Sequence, residues 1–104
     1  MADKTYVTAA SLDDVAPGKK VPVLLNGVEI LLCNDAGTIH AVAALCSHAE
    51  QSLECGLMRH GWLACPIHGA RFDLETGAPL NPPASEPIAV YPVRVVDGMI
   101  EVAV

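Results

Sequence analysis

Aromatic side chains are scarce, with one Phe, one Trp and two Tyr in 104 residues. A core of stacked rings is excluded, so the interior must come from Val, Ile, Leu and Ala. Bases are scarce too: six Lys and Arg stand against twelve Asp and Glu, a formal net charge of -6. That excludes the basic face a nucleic-acid binder needs to displace counterions. It suits a soluble protein whose partners bring the positive charge. Long apolar runs are missing as well. Stretches such as "VEILLC" fall far short of the roughly 20 residues that cross a bilayer. The opening "MADKTYVTAASLDD" holds no run able to act as a signal peptide. The expectation is a cytoplasmic protein with no membrane association. There is no nucleophile elbow, no phosphate-binding glycine loop and no carboxylate pair in a known motif, so no catalytic constellation is read.

What is present suits a single domain over residues 1–104. Turn signals cut the chain into short pieces. Asn26-Gly27, Asp35-Ala36-Gly37 and Asp97-Gly98 each separate two apolar runs, the strongest short-range signal for a hairpin. The runs alternate. Val21, Val23 and Leu25 share a face, as do Val28, Ile30 and Leu32, then Ile39 and Ala41, and finally Ile100, Val102 and Val104. Period two with β-branched enrichment predicts half-buried antiparallel strands. Only "SLDDVAPGK" reads as helical, with Ser11 capping one or two turns that Pro17-Gly18 would end. From Cys46 to about Pro87 the strand signals fade, and four of the eight prolines fall between Pro79 and Pro87. The predicted architecture is therefore all-β. An antiparallel frame, residues 4–44 and 87–104, carries a loop-rich insert, residues 45–86. Loops held on a rigid frame are where function concentrates.

Both short Cys/His pairs lie in that insert: "CSH", Cys46 to His48, and "CPIH", Cys65 to His68. Pro66 fixes φ after Cys65 and Gly69 frees it after His68. Tight loops of this kind aim N–H groups inward, toward negatively charged sulfur. Four cysteines in a cytoplasmic chain read as metal ligands or free thiols rather than disulfides. Three readings compete. One is chance. A second is a structural zinc site of two Cys and two His, although fingers order them Cys-Cys then His-His on a helix. The third is a 2Fe–2S cluster with two cysteines on one iron and two histidines on the other. The interleaved order suits the third, since each loop supplies one thiolate and one imidazole.

"CSH" followed by "CPIHG" resembles the Rieske motif, C-x-H and C-x-x-H. The proline-rich loop and "PIAVYPVRVVDGMIEV" resemble the end of the small Rieske ferredoxins that serve bacterial ring-hydroxylating dioxygenases. The resemblance implies the Rieske fold, a β-sandwich frame with a small cluster-binding subdomain, and one 2Fe–2S cluster. It implies Cys46 and Cys65 on the inner iron and His48 and His68 on the outer, with "NPPASEP", Asn81 to Pro87, covering the cluster. It further implies a one-electron carrier rather than an enzyme. The flavoprotein ferredoxin reductase would stand upstream and a terminal Rieske non-haem iron oxygenase of aromatic catabolism downstream. A carrier that meets two partners in turn is expected to be a monomer. The exposed histidine edge is the expected electron port. Two alternatives stay open: the small subunit of an assimilatory nitrite reductase, which often lacks the full ligand set, and a zinc-stabilised module without redox function.

The departures from the wider family carry a physical expectation. High-potential relatives bear an extra cysteine in each cluster loop and join the two by a disulfide. Here the stretches Cys46 to Glu50 and Cys65 to Ala70 hold no second cysteine. They also bear a Ser and a Tyr whose hydroxyls donate to sulfur, where this chain has Ala70 and Phe72. Two thiolates and two neutral imidazoles on the oxidised core sum to zero charge, and reduction makes the sum negative. Losing two donors disfavours the reduced state, so the potential is expected at the low end of the range of about -150 to +300 mV spanned by Rieske centres.

Other residues are assigned bland roles. Cys33 and Cys55 read as free cysteines that pack as small hydrophobes. His40 reads as a surface or edge histidine, and His60 as a turn residue. Arg59 and Arg71 read as solvated loop charges, and Trp62 as the anchor of the insert's small core.

Overall fold

Turn chemistry sets the strand ends. Asn26 and Gly27 have φ of 51° and 79°, and Asp97 and Gly98 have 51° and 76°. Ala36-Gly37 and His60-Gly61 repeat the left-handed pair, with φ of 53° and 100° and of 52° and 80°. Two positive φ values in succession match the right-handed twist of the flanking strands. The computed structural model describes residues 5–46, 52–66, 69–81 and 86–104. Its strands are β1 Tyr6–Ser11, β2 Lys20–Leu25, β3 Val28–Asp35, β4 Thr38–Ala43, β5 Met58–Arg59, β6 Trp62–Ala64, β7 Arg71–Asp73, β8 Val90–Tyr91, β9 Val93–Val96 and β10 Met99–Ala103. They form three antiparallel sheets, ordered β1-β10-β9, β2-β3-β4-β8 and β5-β6-β7. The predicted helical stretch is a single 3-10 turn, Leu12–Asp14, whose N-cap Ser11 accepts a hydrogen bond from the Asp13 N–H.

The first two sheets enclose one apolar cluster: Leu25, Ile30, Leu32 and Ala41 from the four-stranded sheet, Ile100 and Val102 from β10, and Val15 from the segment after the 3-10 turn. Cross-strand register aligns Val21 with Leu32 and Leu32 with Ala41. The faces read from alternation therefore form the frame's interior. Asn34, buried at 4% exposure, is fully engaged. Its amide donates to the Val15 carbonyl at 2.7 Å and its Oδ1 accepts from the Gly37 N–H at 2.7 Å. Buried polar atoms without such partners would be costly.

Three expectations are corrected. Strand β3 is not half-buried: Ile30 through Asn34 are all buried. Its second face, Leu31 and Cys33, joins Val42, Leu53, Leu63, Phe72, Leu74 and Ile88 in a separate cluster, because the segment between β4 and β8 folds against it. That segment also has its own sheet, β5-β6-β7. Strands of two or three residues are too short for alternation to register. Phe72, fully buried, anchors this second cluster; Trp62 is only half-buried and stands outside it.

Gly56 marks the tightest approach in the second cluster's surroundings. A Cβ there would lie 1.8 Å from the Ala64 carbonyl oxygen, so backbone must shift to admit it. Gly56→Ala is expected to lower folding stability by about 3 kcal/mol, the upper part of the overpacking range. A denaturation midpoint indistinguishable from wild type would show that the β6 end moves freely.

Candidate metal centre

Cys46 and Cys65, nineteen positions apart in the chain, both belong to the second cluster. Their exposures are 5% and 1%, and both thiols are free of disulfide bonding. Each stands at the head of a loop closed by main-chain bonds. Before Cys46, Leu45 pairs with Ser52, and the Leu53 N–H donates to the Ala44 carbonyl at 2.8 Å. After β6, the Cys65 N–H donates to the Ala70 carbonyl at 2.7 Å, and the Gly69 N–H donates back to the Cys65 carbonyl at 3.0 Å. Gly69 has φ of 71°, which a loop this tight needs and a side chain would resist. His48 and His68, and with them Glu50, lie outside the described residues.

Two buried thiols at the heads of two separately closed loops suit a group that bridges the loops. The apolar wall around them, with Ala70 and Phe72 fully buried in the same cluster, restricts water on that side. Neither wall residue has a hydroxyl to donate.

Two further side-chain contacts brace the segment between β4 and β8. The Asp35 carboxylate, at the end of β3, accepts the Gly61 N–H of the β5–β6 turn at 2.6 Å, while the Gly61 carbonyl accepts the Leu74 N–H at 2.8 Å. The Asn81 side chain reaches the Cys65 loop: its Oδ1 accepts the Arg71 N–H at 2.7 Å and its Nδ2 donates to the Gly69 carbonyl at 3.4 Å. Single polar residues acting across such distances carry no periodic signal, and sequence reasoning missed both.

The remaining residues fall as follows. Cys33 shares the cluster with Cys46 and Cys65, but burial pushes its thiol up to about 12, against the opposing pull of Lys20. It is a packed, protonated side chain, as expected. Cys55 is exposed in a turn rather than packed. His40 lies half-buried on β4 opposite Cys33, and exposed His60 occupies its turn with positive φ. Arg59 is exposed. Arg71 is exposed too, but its guanidinium sits 5.2 Å from the Trp62 ring centre, a cation–π contact rather than a freely solvated charge.

The Rieske [2Fe-2S] domain family matches residues 5–92. The chain belongs to the Rieske family. It is 37% identical over 92 residues to the ferredoxin component of the naphthalene 1,2-dioxygenase/salicylate 5-hydroxylase systems of Ralstonia sp, covering 88% of each. It is 39% identical over 90 residues to the anthranilate 1,2-dioxygenase ferredoxin subunit of Burkholderia cepacia, covering 86% of this chain and 75% of that one. Among solved structures, the ferredoxin of carbazole 1,9a-dioxygenase from Nocardioides aromaticivorans superposes with a TM-score of 0.90 at 37% identity, over 95% of this chain and 97% of the other. A ferredoxin chain in a complex of reduced oxygenase and oxidised ferredoxin in carbazole 1,9a-dioxygenase gives 0.88 at 26% identity, over 97% and 94%. A chain assigned as the small subunit of an NADH-dependent nitrite reductase from Mycobacterium tuberculosis gives 0.84 at 32%, over 98% and 96%. Among the described residues, no helix of this Rieske protein is long and apolar enough to cross a membrane.

The thiols differ enough to be told apart chemically. Thiolate is the reactive form, and at pH 9 a thiol titrating near 12 is ionised in only about one molecule per thousand. In the native protein Cys55 is expected to be alkylated by iodoacetamide while Cys33 resists until the chain unfolds. Mass spectrometry of the digested protein reads this directly. Equal labelling of the two would contradict the burial of Cys33.

Proposed function

We propose that this chain is a one-electron carrier, moving electrons from an NAD(P)H-dependent flavoprotein reductase to a terminal Rieske non-haem iron oxygenase in the breakdown of aromatic compounds. The observation that carries the reading is the placement of Cys46 and Cys65, both buried in one cluster, at the heads of two closed loops. Identity of 37% and 39% to ferredoxin components of aromatic dioxygenase systems, over most of the chain, supports it. Cys46, His48, Cys65 and His68 would hold a 2Fe–2S cluster, which would supply one-electron uptake and release. The chain's own residues do the rest. The loop closures hold the thiols in fixed positions, the Leu, Ile and Phe wall keeps water from the inner side, and the histidine edge faces the partner.

The chain acts as one cytoplasmic Rieske domain and as a monomer, with frame residues 4–44 and 87–104 and cluster-binding residues 45–86. Its potential lies low among Rieske centres, because Ala70 and Phe72 offer the sulfurs no hydroxyl. The likeness to a nitrite reductase small subunit favours a second reading, electron supply within an assimilatory nitrite reductase. The presence of both histidines and both cysteines in the sequence weighs for the first, since such subunits often lack part of the set.

Mixing the oxidised protein with a reduced flavoprotein reductase of an aromatic dioxygenase is expected to bleach its visible absorption, and adding the oxygenase with substrate to restore it. Bleaching without reoxidation by any such oxygenase, beside transfer to a nitrite reductase, would favour the second reading. Cys65→Ala or His68→Ala is expected to abolish cluster binding while far-UV circular dichroism keeps the β signal of the frame. Full iron content in either variant would refute the ligand assignment. Combining Ala70→Ser with Phe72→Tyr is expected to raise the midpoint potential, since each hydroxyl that reaches sulfur stabilises the reduced, more negative state. An unchanged potential would mean that the loops aim these side chains elsewhere.

A further inference from the structure

The segment after β7 holds the Cys65 loop by an arrangement that depends on one side chain. Main-chain pairing runs from Phe72, which bridges to Pro79, to the Leu80 N–H, which donates to the Arg71 carbonyl at 2.7 Å. The next residues are Asn81, Pro82 and Pro83. Proline has no N–H, so the main chain cannot continue as a donor strand along the loop. The Asn81 side chain substitutes for it. Its carboxamide carries an acceptor oxygen beside a donor NH2, as a peptide group carries C=O beside N–H. The acceptor takes the Arg71 N–H at 2.7 Å, and the donor reaches the Gly69 carbonyl at 3.4 Å.

These two bonds flank Ala70, whose carbonyl accepts the Cys65 N–H at 2.7 Å. Asn81 thus fixes the residues on either side of the acceptor that fixes Cys65. We propose that Asn81 is the positioning residue of the Cys65 loop, a side-chain clasp that keeps the thiolate and the loop around it in place for the cluster. The proposal rests on the reading that Cys65 is a cluster ligand. The chemistry asks for an amide. Alanine removes both bonds, whereas aspartate keeps the acceptor for Arg71 and gives up the donor to Gly69. Aspartate also adds a negative charge on the loop that carries Cys65, which disfavours an added electron and lowers the potential.

The test compares cluster-loaded wild type, Asn81→Ala, Asn81→Asp and Leu80→Ala. Leu80 is exposed and contributes to the clasp only through its main chain, so its truncation controls for general damage to the proline-rich loop. Cluster loss is followed as the decay of visible absorption in excess iron chelator, and the midpoint potential by redox titration. Removing partners that orient metal ligands weakens metal binding about 10–100-fold. Asn81→Ala is expected to lose its cluster at least tenfold faster than wild type, or to be isolated without one. Leu80→Ala should match wild type. Asn81→Asp should recover most of the retention and show a lower potential. The proposal is overturned if Asn81→Ala and Leu80→Ala decay alike, or if aspartate rescues nothing and leaves the potential unchanged. A wild-type protein that binds no iron would remove the functional reading and this proposal with it. A loaded wild type beside an unaltered Asn81→Ala overturns the clasp alone.

Discussion

Burial of β3 on both faces is the constraint on which the rest of the structure depends. One face, Ile30 and Leu32, closes the frame against β10. The other, Leu31 and Cys33, is the floor on which the cysteine loops rest. Fully burying an aliphatic side chain contributes about 1.5–3 kcal/mol, so three such residues and a buried cysteine on one strand tie the two clusters into a single folding problem. The metal centre is not an appendage to a finished sandwich. Its wall and the frame's second face are the same residues. The domain is small enough that a bound metal group would add materially to its stability.

Much of this was legible, for identifiable reasons. Asn26-Gly27 and Asp97-Gly98 announce hairpins because few residues tolerate two positive φ values in succession, and both turns have them. Val21, Leu32, Ala41 and Ile100 were readable as interior because strands alternate. Ser11 was readable as a cap because its hydroxyl suits the first free N–H, and it is used that way. Cys46 and Cys65 stood out by their spacing to histidine, and both thiols lie in one buried cluster. Their partners His48 and His68 lie outside the described residues.

What escaped the sequence has a common cause: it depends on partners distant in the chain. "ILLC" reads equally as a half-buried or a fully buried strand until the segment that covers its second face is known. Trp62 looked like a core anchor by size, yet it is the smaller Phe72 that is fully enclosed, while Trp62 stacks beneath Arg71 at the surface. The Asp35 bond to Gly61 spans 26 positions and the Asn81 bond to Arg71 spans ten. Neither follows from any local pattern. Polar residues in loops read as solvated until the geometry shows what they hold.

Electron transfer by this chain requires a cluster shared by two thiolates and two imidazoles. The most direct measurement is electron paramagnetic resonance of the freshly purified protein reduced with dithionite, with iron and sulfide analysis of the same sample. The expected result is a red-brown protein with about two irons and two sulfides per chain and the low average g value of a histidine-ligated cluster. A colourless protein carrying about one zinc would contradict it and leave only the fold.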